Sequence, residues 1–196
     1  MSLLHLVNTA EPNLAAIAQY LDHLPPTARV TSIRTLSRRA QARLFDAAAG
    51  FRAIGPEHFV PADVAPVTEV VHQGKNSLPA FTHFAKAFGR DADGNVFGYN
   101  RAGGFLETVV GPGYFALTAA SQAGEVVIDY TQLPETRLDG WPPIISNEAR
   151  LSRVVYSGTQ DVMRGISEHV SIGRASRRGK VMDAWFVLCR DIRSGV

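Results

Sequence analysis

The chain has 196 residues and a formal net charge of +2, with 45% hydrophobic and 19% charged residues. This composition is typical of a globular protein with a substantial core, and it excludes a chain that is disordered along its length. A net charge this small gives no support for a nucleic-acid partner.

The start of the chain and its single cysteine favour a cytoplasmic protein. The first residues lack the basic leader and apolar stretch of a secretory signal. No stretch approaches the roughly 20 apolar residues of a transmembrane span. Cys189 cannot form an internal disulfide, and it lies in the apolar run 184–189, which is typical of an inert buried thiol.

The first fifty residues carry a helical pattern. Apolar residues recur at helical spacing from Leu14, and the two prolines at 25–26 end that helix. Thr27 is the expected cap of a second helix. Ser37 either caps a third helix or lies within a longer second one, and Gly50 marks the end of the segment.

From residue 67 onward the pattern changes to short strands separated by turns. Seven strands are predicted, over residues 67–72, 96–100, 105–110, 114–119, 125–130, 169–175 and 181–190. A short helix is predicted to open at Ser77 and to carry Phe81, Phe84 and Phe88 on one side. Another helix is predicted to begin at Asn147, with apolar positions as far as Ile166.

Short connections favour antiparallel pairing over a parallel doubly wound sheet. We therefore expect an α+β fold, with N-terminal helices followed by a curved antiparallel sheet of about seven strands and a helix before the last hairpin. Such a sheet can close into a small barrel. No linker divides the chain, so we expect one domain over 1–196, with a helical segment over 1–50 and the sheet or barrel over 67–190.

Two partial motifs do not indicate a metal or cofactor. The run 111–116 matches a dinucleotide fingerprint, but a strand follows it where that fingerprint requires a helix. Asp91, Asp93 and Asn95 resemble the opening of a calcium loop, but the downstream Glu is missing and a hairpin turn explains them. We predict neither a metal nor a cofactor.

Polar residues that interrupt apolar strands are the candidates for a site. Alternate side chains of a strand share a face, so a polar face of this kind is typical of a binding cavity or of acid–base chemistry. The same residues also suit capping of strand ends. The ligand-binding candidates are Tyr99, Tyr114, Asp129 and His169. Lys75 joins them, because it lies beside a predicted helix start where an anionic group could bind.

The C-terminal third resembles the barrel-closing part of small bacterial calycin-type domains, which are similar in architecture to lipocalins and fatty-acid-binding proteins. The resemblance rests on Ile172-Gly173, the basic turn 177–180 and the apolar strand 184–189. The N-terminal helices are not part of the lipocalin pattern, and the lipocalin G-x-W signature is missing from this sequence. The resemblance implies a cavity and a small, mostly apolar ligand.

Three functions remain open from the sequence. The first is binding of a small hydrophobic or amphipathic molecule in a barrel-like cavity. The second is a cofactor-free isomerase, cyclase or hydrolase, in which His72 or His169 acts as acid or base with Asp129. That chemistry needs a His–Asp pair at roughly 2.6–3.2 Å.

The third function is docking of an anionic partner through basic surfaces. Arginines spaced four apart lie on one side of the N-terminal helical segment: Arg34, Arg38, Arg39 and Arg43. A solvated face is the simpler explanation of these arginines. The turn 177–180 forms a second basic group. Trp141 and its neighbouring prolines are an alternative interface, for a homodimer.

Overall fold

A computed structural model describes residues 2–79, 82–101, 111–149 and 152–191. The helices are α1 Leu3–Val7, α2 Leu14–Asp22, α3 Pro26–Arg34, α4 Arg38–Ala47, α5 Pro56–Phe59 and α6 Ser152–Val155. The strands are β1 Val70–Asn76, β2 His83–Arg90, β3 Val96–Arg101, β4 Tyr114–Ala119, β5 Val126–Asp129, β6 Thr159–Gly165, β7 Val170–Arg177 and β8 Lys180–Arg190.

The eight strands form a closed antiparallel barrel. Each strand pairs with the next one along the chain, and β8 pairs with β1 to close the sheet. This confirms the predicted α+β class, the antiparallel pairing and the closure into a barrel. The described residues contain eight strands, where about seven were expected in the chain. A closed antiparallel barrel is also the architecture that the calycin resemblance implies.

The short helix predicted from Ser77 is wrong, because residues 83–90 form strand β2. Phe84 and Phe88 are four residues apart, a spacing that fits one side of a helix and one face of a strand equally well. Pairing with β1 and β3 decides between them. Phe81 lies outside the described residues.

The helix predicted from Asn147 is also largely wrong. Among the described residues of this stretch only Ser152–Val155 is helical, and residues 159–165 form β6, which precedes the last hairpin. Burial in β6 alternates strictly, as expected for a strand with one face inside a barrel. The predicted strand 105–110 and Leu151 lie outside the described residues, so these predictions stay untested.

The N-terminal helices cover one side of the barrel. Ser2, Asn13 and Ser37 cap α1, α2 and α4 through their side chains. Thr27 is not a cap, because α3 already begins at Pro26, whose fixed φ suits a first helical position. Apolar helix residues pack with outward-facing residues of β7 and β8, which are Val170, Ile172, Trp185, Val187 and Cys189. No helix within the described ranges is long and apolar enough to cross a membrane.

The interior of the barrel is filled over part of its length. Aromatic and aliphatic side chains pack there, among them Phe59, Phe88, Phe115, Ile128, Met163 and Leu188. The segment around α5 closes one end, where the Ile54 N–H donates to the Gly124 carbonyl at 2.9 Å and the Arg190 guanidinium donates to the His58 carbonyl at 2.7 Å.

Candidate ligand-binding site

At the end away from α5 the barrel interior opens into a cavity of about 280 Å³. Its walls are mainly apolar and include Leu78, Phe84, Tyr156, Met182 and Phe186. This volume is just below the range for small-molecule sites, roughly 300–1,000 Å³. The cavity therefore suits a compact molecule better than a long lipid chain.

Two inward-facing glycines make room for the aromatic walls. A Cβ at Gly74 would lie 2.5 Å from the Phe84 ring, and a Cβ at Gly173 would lie 2.5 Å from the Phe186 ring. Contacts of this length do not occur between real atoms, so both rings depend on glycine at the facing position. The sequence places small residues where the barrel needs space for large ones.

Four polar side chains form the base of the cavity. Lys86 lies on β2, Asn100 on β3, Asp161 on β6, and Tyr130 directly follows β5. Each of these residues is buried, with exposures between 3% and 8%. Each of them lies on the inward face of its strand region, together with apolar residues. Closure of the barrel therefore brings side chains from four separate strand regions together.

Lys86 is held by hydrogen bonds and by aromatic rings. Its ammonium nitrogen donates to the Asn100 amide oxygen at 2.7 Å and to the Tyr130 hydroxyl. The ring centroids of Phe84, Phe115, Tyr130 and Phe186 all lie within 5.6 Å of the same nitrogen. Rings at this distance attract a cation through their electron-rich faces. Two of the three N–H donors are used by Asn100 and Tyr130, which leaves one for a ligand.

The Asp161 carboxylate has no hydrogen-bond donor within the parts of the chain that the structure describes, although Asp161 is only 4% exposed. Its electrostatic partner is Lys86, whose positive charge lowers the pKa of the carboxyl. A buried carboxylate normally accepts several hydrogen bonds, because desolvation is otherwise costly. Asp161 therefore presents an unused acceptor to the cavity.

Burial shifts the pKa values of both charged groups towards neutrality. Burial lowers the pKa of Lys86 to about 8, although the charge of Asp161 acts in the opposite direction. Burial raises the pKa of Asp161 to about 6, and the charge of Lys86 opposes that shift. Burial also raises the pKa of Tyr130 well above its ordinary value, so Tyr130 stays a hydroxyl. At neutral pH the base of the cavity therefore holds one positive and one negative charge.

The predicted ligand contacts Tyr99 and Tyr114 lie on the outer face of the barrel. They pack with Trp141, whose ring centroid is 4.9 Å from that of Tyr99. The Tyr114 hydroxyl donates to the Pro142 carbonyl at 2.6 Å. Trp141 is 4% exposed, so it covers strands of its own chain, and its proposed place at a dimer interface is not supported.

Asp129 and Lys75 are also away from the cavity. The Asp129 carboxylate accepts hydrogen bonds from the Thr131 backbone and hydroxyl and from Gln160, and these bonds fix the end of β5. Lys75 precedes the cavity-lining Asn76 on β1, so strand alternation directs it to the other face.

His72 and His169 lie towards the closed end of the barrel. His72 Nε2 is 2.9 Å from the Phe59 carbonyl, and burial lowers its pKa to about 3. Arg190 donates to His169 Nδ1 at 2.9 Å. Among the described residues no histidine forms a hydrogen bond with a carboxylate, and the His169–Glu168 separation is 3.8 Å. The structure does not bring the predicted His–Asp pair together.

The basic surfaces are used largely within the chain. Arg34 donates to Gln73, Arg38 to the Asp183 carbonyl, and Arg43 to two carbonyls of the α1–α2 connection. In the second group, Arg177 donates to the Ser157 carbonyl at 3.1 Å. These contacts give the arginines a structural role in joining helices and loops to the barrel.

Two of the four residues at the base of the cavity, Lys86 and Asp161, were missed because of two errors in secondary structure, whereas Asn100 and Tyr130 lay in predicted strands. Lys86 lies between Phe84 and Phe88 in the helix predicted from Ser77. Asp161 lies in the helix predicted from Asn147. Treated as strands, both segments show a charged residue on the same alternating face as apolar residues, Lys86 with Phe84 and Phe88, and Asp161 with Met163. That alternation is the signal in the sequence that could have identified them.

Comparisons with protein-family models, with curated proteins and with solved structures each gave no match. In the described parts of the chain there is also no group of three or more His, Cys, Asp or Glu that could hold a metal ion. A function is therefore inferred from the barrel and from the residues of its cavity.

Proposed function

We propose that this protein binds a small, uncharged, mostly apolar molecule in the open end of its barrel. The apolar part of the ligand lies between the aromatic walls, and a polar group reaches Lys86 and Asp161. The observation that supports this best is the Asp161 carboxylate, which lies at the base of an apolar cavity and accepts no hydrogen bond from the described residues. A ligand hydroxyl or N–H supplies that donor.

The charges at the base favour a neutral ligand. Lys86 and Asp161 balance one another electrostatically. A charged ligand would add an uncompensated charge to a desolvated site, which costs several kcal/mol. A hydroxyl group suits both partners, because its oxygen accepts from Lys86 while its hydrogen is donated to Asp161.

The rim of the cavity supports entry of an apolar molecule. Leu78, Val155 and Met182 line the cavity near the mouth, and their exposures are 43%, 47% and 38%. Val181 beside them is 65% exposed. Exposed large apolar side chains that lie together often mark a binding site.

The test is a fluorescence titration with N-phenyl-1-naphthylamine, a neutral apolar probe with a single N–H donor. We expect saturable binding to the unmodified protein. Ala175→Phe should abolish it, because Ala175 lines the cavity and faces Asp161 across the β6–β7 pairing. Ala119→Phe is the matched control, since Ala119 is exposed at the end of β4 and should leave binding unchanged.

A second pair of variants tests the polar group. Asp161→Asn keeps the shape of the side chain and should weaken probe binding about tenfold, the effect of losing roughly 1.4 kcal/mol. Asp183→Asn removes an exposed carboxylate and should have no effect. Equal binding by the unmodified protein and by Ala175→Phe would overturn the proposed function.

A further inference from the structure

We propose that Lys86 forms a reversible covalent imine with an aldehyde or ketone group of the molecule that enters the barrel cavity. This inference rests on the proposed function, because it requires a ligand whose polar end reaches the cavity base. It adds a chemical class to that ligand, namely a small apolar carbonyl compound.

The position of Lys86 favours this chemistry. Its nitrogen lies at the base of the cavity, below apolar walls, and is 2.7 Å from the Asn100 oxygen, which fixes its direction. Four aromatic rings surround it and keep bulk water away. Desolvation of this kind favours the neutral amine, which is the nucleophilic form, and it also slows hydrolysis of the product.

The choice of lysine is itself informative. The chain has 20 Lys and Arg residues, of which only Lys75, Lys86 and Lys180 are lysines. A cation that only had to balance Asp161 or bind a ligand oxygen could equally be arginine, the residue this sequence otherwise prefers. A guanidinium stays protonated and does not act as a nucleophile, whereas an amine can lose its proton and attack a carbonyl.

The reaction balances without any further reactant. The lone pair of the neutral Lys86 nitrogen attacks the carbonyl carbon as the C=O π bond breaks. One proton then passes from the nitrogen to the carbonyl oxygen by way of Asp161, which gives a neutral carbinolamine. That hydroxyl then leaves as water with a proton from the carboxylic-acid form of Asp161, while the nitrogen lone pair forms the C=N bond. The nitrogen returns its remaining proton to Asp161. One amine and one carbonyl compound give one imine and one water.

Asp161 is suited to this role by its position. It lies on β6, its carboxylate accepts no hydrogen bond from the described residues, and it shares the cavity with Lys86. The pKa of about 6 that burial gives it leaves both its acid and its carboxylate form present near neutral pH. The carboxylate also balances the charge of a protonated imine.

The test uses cinnamaldehyde with sodium cyanoborohydride, which reduces an imine to a stable amine. The protein is digested and the modified lysine is located by tandem mass spectrometry. We expect labelling at Lys86 at least about tenfold faster than at Lys180, because a lower pKa leaves a larger share of the Lys86 amine neutral. Lys75 and Lys180 serve as internal controls in the same sample.

Cinnamyl alcohol separates this proposal from the proposed function. It has the same carbon skeleton with a hydroxyl in place of the aldehyde, so it should displace the naphthylamine probe and slow the labelling of Lys86 without forming an adduct. Lys86→Arg should abolish the adduct at this position, and Ala175→Phe should suppress labelling of Lys86 but not of Lys180.

The outcomes are distinct. If cinnamyl alcohol binds but cinnamaldehyde modifies Lys75 or Lys180 as fast as Lys86, the imine proposal is overturned and the binding function stands. If the unmodified protein does not bind the probe and Lys86 is not labelled, both proposals are overturned. The competition experiment uses the unmodified protein, so these conclusions do not depend on whether a variant folds.

Discussion

Lys86 and Asn100 are directly paired across β2 and β3, and the Asn100 amide oxygen lies 2.7 Å from the Lys86 nitrogen. The Asn100 amide nitrogen donates in turn to the Tyr130 hydroxyl at 3.1 Å. One asparagine thus orients both the cation and the phenol at the base of the cavity.

Replacing Asn100 should therefore destabilise the barrel. Asn100→Leu keeps the approximate volume but leaves Lys86 without its amide acceptor, and we expect a loss of about 1–3 kcal/mol in the free energy of unfolding. Asn100→Asp keeps an oxygen acceptor and should lose less. Urea unfolding measures both. Equal losses for the two variants would show that the Lys86 contact contributes nothing.

Trp141 should be important for stability but not for binding. Trp141→Ala removes a buried ring that packs on Tyr99 and Phe97, and truncations of this kind cost about 3–5 kcal/mol. The cluster lies outside the barrel wall, so the folded fraction of the variant should bind the naphthylamine probe with unchanged affinity. A large change in affinity would place the ligand on the outer face, near Tyr99 and Tyr114.

Two interior glycines should differ in their response to alanine. At Gly98 a Cβ would lie 2.2 Å from the Ala87 carbonyl oxygen, which is backbone, so the β2–β3 pairing would have to shift. At Gly173 the nearest atoms belong to the Phe186 and Met163 side chains, which can move. We expect Gly98→Ala to lower the thermal midpoint clearly more than Gly173→Ala. The reverse order would contradict the packing described here.

The buried His72 should make the fold sensitive to acid. Burial lowers the pKa of His72 to about 3 in the folded protein, whereas an unfolded chain has the ordinary value near 6.5. Below roughly pH 6.5 the unfolded chain binds the extra proton, so stability falls as the pH decreases, by about 1.4 kcal/mol per pH unit, until the folded state is protonated near pH 3. The pKa of His58 is also lowered by burial and adds in the same direction.

This pH dependence is measured by urea unfolding between pH 7.5 and pH 4. His72→Gln should flatten the acid limb of the curve, because its amide can still donate to the Phe59 carbonyl but does not titrate. His5→Gln, at an exposed position in α1, is the control and should leave the slope unchanged. An identical slope in the His72 variant would refute the assignment.

Local chemistry made several elements predictable. Ser37 caps α4 because its hydroxyl accepts from the Ala40 N–H, an interaction that depends only on neighbouring residues. The turn 91–95 is fixed by the Asp91 carboxylate, which accepts from the Asn95 N–H at 2.8 Å. The hairpins of the C-terminal half follow from short turns of this kind, so antiparallel pairing and a barrel could be predicted from the sequence.

The alternating pattern could have identified Lys86 and Asp161 singly, but their assembly into one site could not be predicted, because these residues are distant in the chain and meet only through strand register. Lys86 and Asp161 are on strands that do not pair with each other, and only the closure of β8 onto β1 places them around one interior. The same closure directed Tyr99 and Tyr114 outward and His72 towards the closed end. The sequence by itself determined helices, hairpins and turns, since these depend on neighbouring residues. The tertiary structure decided which polar side chains share a desolvated space, because a shift of one residue in register moves a side chain from the interior to the surface.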